Sequence, residues 1–271
     1  MNQLIKDLKG SSETTRGITK LDKNWYHWLV GFLEGDGSFF IRSNNTLGFE
    51  ISQKTIDPIL YKIKSKLGVG RVVHNSVNGV SRFVYPSTVK NYIHLINTIK
   101  LEDIRLVKRH KQYSNWIIKA CSLVEPNIPI PKSTELLTNL TPPKLTDSWL
   151  SGFIDAEGSF MIGLTKASKP RPIFRITQDE KEIIEKIKSL FKKGETKTKI
   201  YKDRNTYVLA ITSKKGREML INYLHTYPLK TRKILAFSKW EECHKLLEIE
   251  NPSPKDKERM NQLRNTINKF S

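Results

Sequence analysis

The chain has 271 residues, with 47 Lys+Arg against 27 Asp+Glu and a formal net charge of +20. Its apolar runs are too short to span a membrane. MNQLIKDLKG lacks the apolar stretch of a secretory signal, and Cys121 and Cys243 offer neither a disulfide framework nor a CxxC pair for zinc. Positive charge in such excess is costly unless phosphates neutralise it, so a polyanion is the leading partner.

In chain order, Trp25, Trp28, Leu29, Phe32 and Leu33 fall at i, i+3, i+4, i+7 and i+8, a helical stripe that Gly37 ends. Residues 38–42 and 49–53 read as strands, 56–67 as a helix, 71–74 and 82–85 as strands, 88–99 as a helix, and a last helix carries Trp116. Pro126, Pro129, Pro131, Pro142 and Pro143 mark a linker over 121–146, because proline at that density blocks helix and central strand alike. Then follow a helix over 147–157, strands 159–165 and 173–178, a helix over 180–191, strands 197–201 and 206–212, and helices 214–224 and 231–247. Residues 1–22 and 248–271 read as polar extensions. The fold class is α+β: two αββαββα units, 23–120 and 147–247, whose paired strands are antiparallel because short loops join them.

The two units are copies. WLVGFLEGDGSFFI at 28–41 matches WLSGFIDAEGSFMI at 149–162. FEISQ at 49–53 matches FRITQ at 174–178, KIKS at 62–65 recurs at 186–189, and YSNW at 113–116 resembles FSKW at 237–240. Four matches in one order at nearly one offset indicate a duplicated unit of about 120 residues.

The repeated helix has its own physical logic. Gly31 and Gly35 share one helix face, as do Gly152 and Ala156. Small-xxx-small faces let two helix backbones approach closely, here about a pseudo-twofold axis. Asp36 and Glu157 follow at the helix C-termini, where the macrodipole disfavours a carboxylate. A divalent cation is the natural compensation. With the carbonyls of Gly35 and Ala156, the donors are all oxygen and suit Mg²⁺.

These paired segments, the two FxI(S/T)Q strands and the segment Pro228 to Lys233 resemble the LAGLIDADG homing endonucleases of mobile introns, single-chain type, over about residues 24 to 247. The resemblance implies a saddle of two antiparallel four-stranded sheets, with the motif helices at the interface and the strands in the DNA major groove. It implies site-specific hydrolysis of one phosphodiester on each strand with a divalent metal. It assigns the metal to Asp36 and Glu157, with the carbonyls of Gly35 and Ala156. It places Gln53 and Gln178 at the polar position after the second strand, and a basic catalytic residue at Lys233. The first-half counterpart is Arg109, with Lys108 as its rival. Glu34 and Asp155 project elsewhere and read as structural or peripheral.

Alternate strand residues share a face. Counting by two from each acid gives Ser38, Phe40, Arg42 and Asn44 in one half and Ser159, Met161, Gly163 and Thr165 in the other. The next strands add Glu50 and Ser52, and Arg175 and Thr177. These side chains suit base edges and thymine methyls, and the lists differ between halves, so unlike half-sites are expected. Lys54, Lys166 and Lys169 are candidates for phosphate contacts. The family resemblance implies a target of about 20 base pairs, a monomer with pseudo-twofold symmetry, and an organelle-encoded, mitochondrial origin. Two alternatives stay open: an RNA-binding intron maturase, alone or as a second activity, and a silent DNA-binding regulator. The six histidines show no ligand spacing, and no GxxxxGK, HExxH or GxSxG motif occurs.

Overall fold

The computed structural model describes residues 21–54, 57–124, 140–192 and 198–269. Residues 1–20 and 125–139, which hold most of the expected N-terminal extension and the linker's middle, lie outside them. Among the described residues no helix is long and apolar enough to cross a membrane.

Helix α1 (Lys23–Asp36) starts where the Asp22 carboxylate accepts from the N–H groups of Asn24 and Trp25. It leads into β1 (Gly37–Ile41), β2 (Leu47–Gln53), α2 (Ile59–Leu67), β3 (Arg71–Asn75), β4 (Val80–Val84), α3 (Val89–Thr98) and α4 (Val107–Val124). The second unit repeats the order as α5 (Trp149–Glu157), β5 (Gly158–Leu164), β6 (Pro170–Gln178), α6 (Lys181–Leu190), β7 (Thr198–Asp203), β8 (Thr206–Ile211), α7 (Lys214–Thr226) and α8 (Lys233–Leu246). A further helix, α9 (Pro254–Thr266), closes the described chain.

The strands form two four-stranded antiparallel sheets, ordered β1-β2-β4-β3 and β5-β6-β8-β7. Their registers correspond: Ser38 faces Glu50, and Ser159 faces Arg175. One face of each sheet is sealed by aromatics from the unit's later helices. In the first unit Phe39 stacks 4.3 Å from Tyr113 and 4.6 Å from Phe49. In the second, Phe160 meets Trp240 edge-on at 5.5 Å.

Helices α1 and α5 pack on each other at the molecular midline. Residues 28–34 and 149–155 are buried on every side, which is why the apolar pattern there runs all round the helix. The approach is backbone to backbone. A methyl at Gly31 would overlap the Trp149 carbonyl oxygen, and one at Gly152 the Trp28 carbonyl oxygen. Indole donors reinforce the contact reciprocally. Trp28 Nε1 donates to Asp155 Oδ2 at 2.8 Å, and Trp149 Nε1 to Glu34 Oε1 at 2.7 Å. Trp28→Phe keeps the ring but leaves one lone pair of a buried carboxylate unserved. It is expected to cost about 1–3 kcal/mol, read as a lower urea midpoint at unchanged m.

Three details go beyond the sequence reading. Gly37 ends α1 in extended backbone at φ −85°. Its glycine is required because a methyl would strike the Leu33 carbonyl oxygen. Helix α4 continues to Val124, past the expected unit boundary at 120. The stretch 248–271, expected as a polar tail, holds α9, which buries Met260 and Leu263 and opens on a capping box of Ser253 and Asp256 with Pro254 in the first turn.

Candidate active site

The close packing of α1 and α5 delivers their last residues, Asp36 and Glu157, to one place. Each is partly buried. Glu157 Oε1 lies 3.3 Å from where a Cβ on Gly35 would stand, so the acid of one helix abuts the end of the other. Burial, then the charge of Glu157, pushes Asp36 up to about 7. Burial raises Glu157 as well, with the Lys233 charge opposing it. A carboxylate whose ionised form is disfavoured by burial and by a neighbouring acid marks a site short of positive charge.

Polar partners surround both. Gln53 Nε2 donates to Asp36 Oδ2, and Gln178 Nε2 donates to Glu157 Oε1 at 3.3 Å. Lys233 Nζ donates to the carbonyls of Ile154 (3.0 Å) and Ala156 (3.2 Å), capping α5. Arg109 does the same for α1. Its Nη2 donates to Glu34 O at 3.0 Å and Gly35 O at 3.4 Å, while Nη1 is held by Gln112 Oε1 at 2.6 Å. Burial lowers both cations, most strongly opposed by Asp155 at Lys233 and Glu34 at Arg109. Lys108, the rival of Arg109, pairs with Asp179 at 2.8 Å on the surface instead. A cleft of about 140 Å³ beside Glu157 is lined by Gly35, Arg109, Gln178 and their neighbours.

Glu34 and Asp155 do structural work. Glu34 accepts from Arg105 N (2.9 Å), Leu106 N (2.6 Å) and Trp149. Asp155 accepts from Lys230 N (2.7 Å), the Thr231 hydroxyl (2.5 Å) and Trp28. Each acid thus fastens its own half's last segment while bonding the other half's tryptophan.

The donors at the midline fit a hard divalent cation. Among the described residues no cluster of three or more His, Cys, Asp and Glu is placed to cage a metal. Two carboxylates with helix-end carbonyls leave most coordination positions to water, as Mg²⁺ prefers. The carbonyls of Ala156 and Gly35 already accept from Lys233 and Arg109, and each has a second lone pair. Without metal, the Asp36 contribution to stability is present below about pH 4 and is lost as pH rises through about 7. The melting temperature of the wild type should therefore fall relative to Asp36→Asn between about pH 5 and about pH 8, as thermal unfolding in chelator would show.

On the sheets' open faces, Ser38, Phe40, Glu50 and Ser52 lie on β1 and β2, and Ser159, Met161, Gly163, Arg175 and Thr177 on β5 and β6. Arg42, Asn44 and Thr165 are not strand residues, because β1 ends at Ile41 and β5 at Leu164. Asn44 Oδ1 accepts from the Thr46 hydroxyl at 2.7 Å, the Arg42 guanidinium lies over the Phe40 ring at 4.9 Å, and Thr165 Oγ1 accepts from Lys169 N at 3.1 Å. All three therefore sit at hairpin tips. Lys54, Lys166 and Lys169 are exposed. Strands beyond β2 and β6 add basic side chains that the count from the acids did not reach. Arg82, opposite Ser52 and 4.0 Å from Glu50, and Arg71 share the first open face, and Lys199 and Tyr201 share the second. Continuing the period-two count along β3, β4 and β7 would have found them.

A family model described as LAGLIDADG endonuclease matches residues 29–120 and 150–244. The chain belongs to the LAGLIDADG endonuclease family. A Neurospora crassa protein named probable intron-encoded endonuclease 4 is 29% identical over 268 residues, covering 97% of this chain and 48% of that one. A Schizosaccharomyces pombe protein named probable intron-encoded endonuclease Cox1-I1b is 29% identical over 79% of this chain and 62% of its own length. The chain thus spans about half the length of the first relative and under two thirds of the second. The LAGLIDADG homing endonuclease I-GzeII, solved in complex with its DNA target, superposes with a TM-score of 0.71 at 18% identity, covering 90% of this chain and 98% of that one. That likeness establishes the two-unit fold.

Proposed function

We propose that this chain is a monomeric endonuclease that cuts both strands of a long, asymmetric DNA site with a divalent metal, Mg²⁺ in the first place. The observation that carries the reading is the meeting of Asp36 and Glu157 at the ends of two close-packed helices, each with a glutamine and a capped cation beside it. Asp36 and Glu157, with the Gly35 and Ala156 carbonyls, would hold the cation. When bound, it supplies water activation and charge stabilisation at the phosphate. Gln53 and Gln178 orient the carboxylates and the water around them. Lys233 sets a cation where phosphate charge builds, and its buried ammonium is able to exchange a proton. Arg109 does not exchange protons and acts by charge alone.

The open faces supply recognition. Arg82 and Arg71 share a face with Ser38, Phe40 and Glu50 in one half, while Arg175 and Lys199 join Met161 and Gly163 in the other. Unlike side chains at matching positions read unlike half-sites. Arg42, Asn44 and Thr165 at the hairpin tips reach the outer base pairs or phosphates, and Lys54, Lys166 and Lys169 hold the backbone. An intron-encoded, mitochondrial origin is part of the same proposal and is supported by the intron-encoded fungal relatives. An RNA maturase role would use neither acid, and nothing in the site favours it over cleavage. Selection of cleaved molecules from a randomised duplex library tests the reading. The expected outcome is one non-palindromic site of about 20 base pairs, cut only with divalent metal.

A further inference from the structure

Helices α4 and α8 carry Arg109 and Lys233, yet neither has an acid in its own first turn. The opening N–H groups of a helix need acceptors from outside it. In both helices one comes from the other half. Glu180, in the turn after β6, accepts from Val107 N at 2.8 Å and from Lys108 N at 2.7 Å. Asp57, in the turn after β2, accepts from Arg232 N at 3.1 Å through one oxygen and from Ile59 N at 2.9 Å through the other. Lys108 and Arg232 are equivalent in the repeat, and each directly precedes the cation of its half. A carboxylate at a helix N-terminus also meets the positive end of the dipole.

We propose that Glu180 and Asp57 are crossed positioning residues, each supplied by one half to set the active-site cation of the other. This rests on the two-acid nuclease reading above. Glu180 fixes the start of α4 and so holds Arg109 against the α1 carbonyls beside Asp36. Asp57 fixes the start of α8 and so holds Lys233 against the α5 carbonyls beside Glu157. The arrangement makes the geometry of each cutting centre depend on the docking of both halves. Removing either cap does not release its helix. The segment before α4 stays tied to Glu34 through Arg105 N and Leu106 N, and the segment before α8 stays tied to Asp155 through Lys230 N and Thr231 N.

The test uses the full chain and a duplex that the wild type cuts, recovered from the randomised library, with its two strands carrying different labels. Glu180→Ala is expected to slow cleavage of one strand on the order of tenfold or more and to leave the other within about twofold. Asp57→Ala is expected to slow the opposite strand, and Glu180→Gln, which keeps one acceptor, to recover part of the loss. Equal slowing of both strands by each variant, or none, would overturn the proposal in favour of a merely fastening role. Amide hydrogen exchange without DNA gives a second readout. Glu180→Ala should unprotect Val107 and Lys108 and spare Arg105 and Leu106, and unchanged exchange there overturns the cap. A wild type that cuts no duplex overturns the nuclease reading and the strand assignment with it, while the exchange result still decides whether the crossed caps exist.

Discussion

Asp36→Asn and Glu157→Gln should each reduce double-strand cutting by about a thousandfold while leaving affinity for the same duplex nearly unchanged. Both changes keep size and hydrogen-bonding shape and remove one anionic oxygen ligand. A site-bound cation supplies several kcal/mol of transition-state stabilisation, and each 1.4 kcal/mol is about tenfold in rate. Neither acid contributes to holding phosphates, so binding should hold or tighten. Misfolding is separable from lost chemistry, because above about pH 7 the metal-free wild type must ionise a partly buried Asp36, which burial and Glu157 both disfavour. At about pH 8 in chelator the Asp36→Asn chain should be the more stable of the two. Gel-resolved cleavage with a filter-binding control checks the first claim. Persistent cutting by both variants would remove the acids from the mechanism.

Gly31→Ala and Gly152→Ala form the second large prediction. The obstacle to each added methyl is a partner-helix carbonyl, not a side chain that could turn aside. Overpacking of a core costs about 1–3 kcal/mol where neighbours give way. Here a backbone must move, so about 3 kcal/mol or more is expected for each, measured by urea unfolding. The two helices would also separate, drawing Asp36 from Glu157, and cutting should fall further than the unfolded fraction explains. Gly68→Ala is the control. Gly68 sits at φ +70° with open space around it, so alanine there costs about 1–2 kcal/mol of backbone strain and should leave the cutting of folded molecules intact.

The duplicated motif made the architecture readable, because a glycine face followed by an acid has a steric and an electrostatic meaning at each position separately. Gly31, Gly152, Asp36 and Glu157 needed no tertiary information to be singled out. The bonds of Glu34 to Trp149 and of Asp155 to Trp28 join residues more than a hundred positions apart, and no local pattern encodes such a partner. Glu180 and Asp57 were invisible for the same reason, since a cap donated by another unit leaves only a missing acid in the first turn of α4 and α8. Arg42 and Asn44 fall at the hairpin tip beyond β1; period-two counting does not announce where a strand ends, although Asn44 and Asn45 are turn residues. Helix α9 did carry a local signal, Ser253, Pro254 and Asp256. Its polarity hid the few apolar residues, Met260 and Leu263, that dock it.

Co-crystals of the chain with its selected, uncut duplex, soaked in Mn²⁺ and measured for anomalous scattering, test the central arrangement most directly. Metal peaks are expected between the Asp36 and Glu157 carboxylates, lying against phosphates of opposite strands. Peaks remote from both acids, or two acids serving phosphates of a single strand, would contradict it.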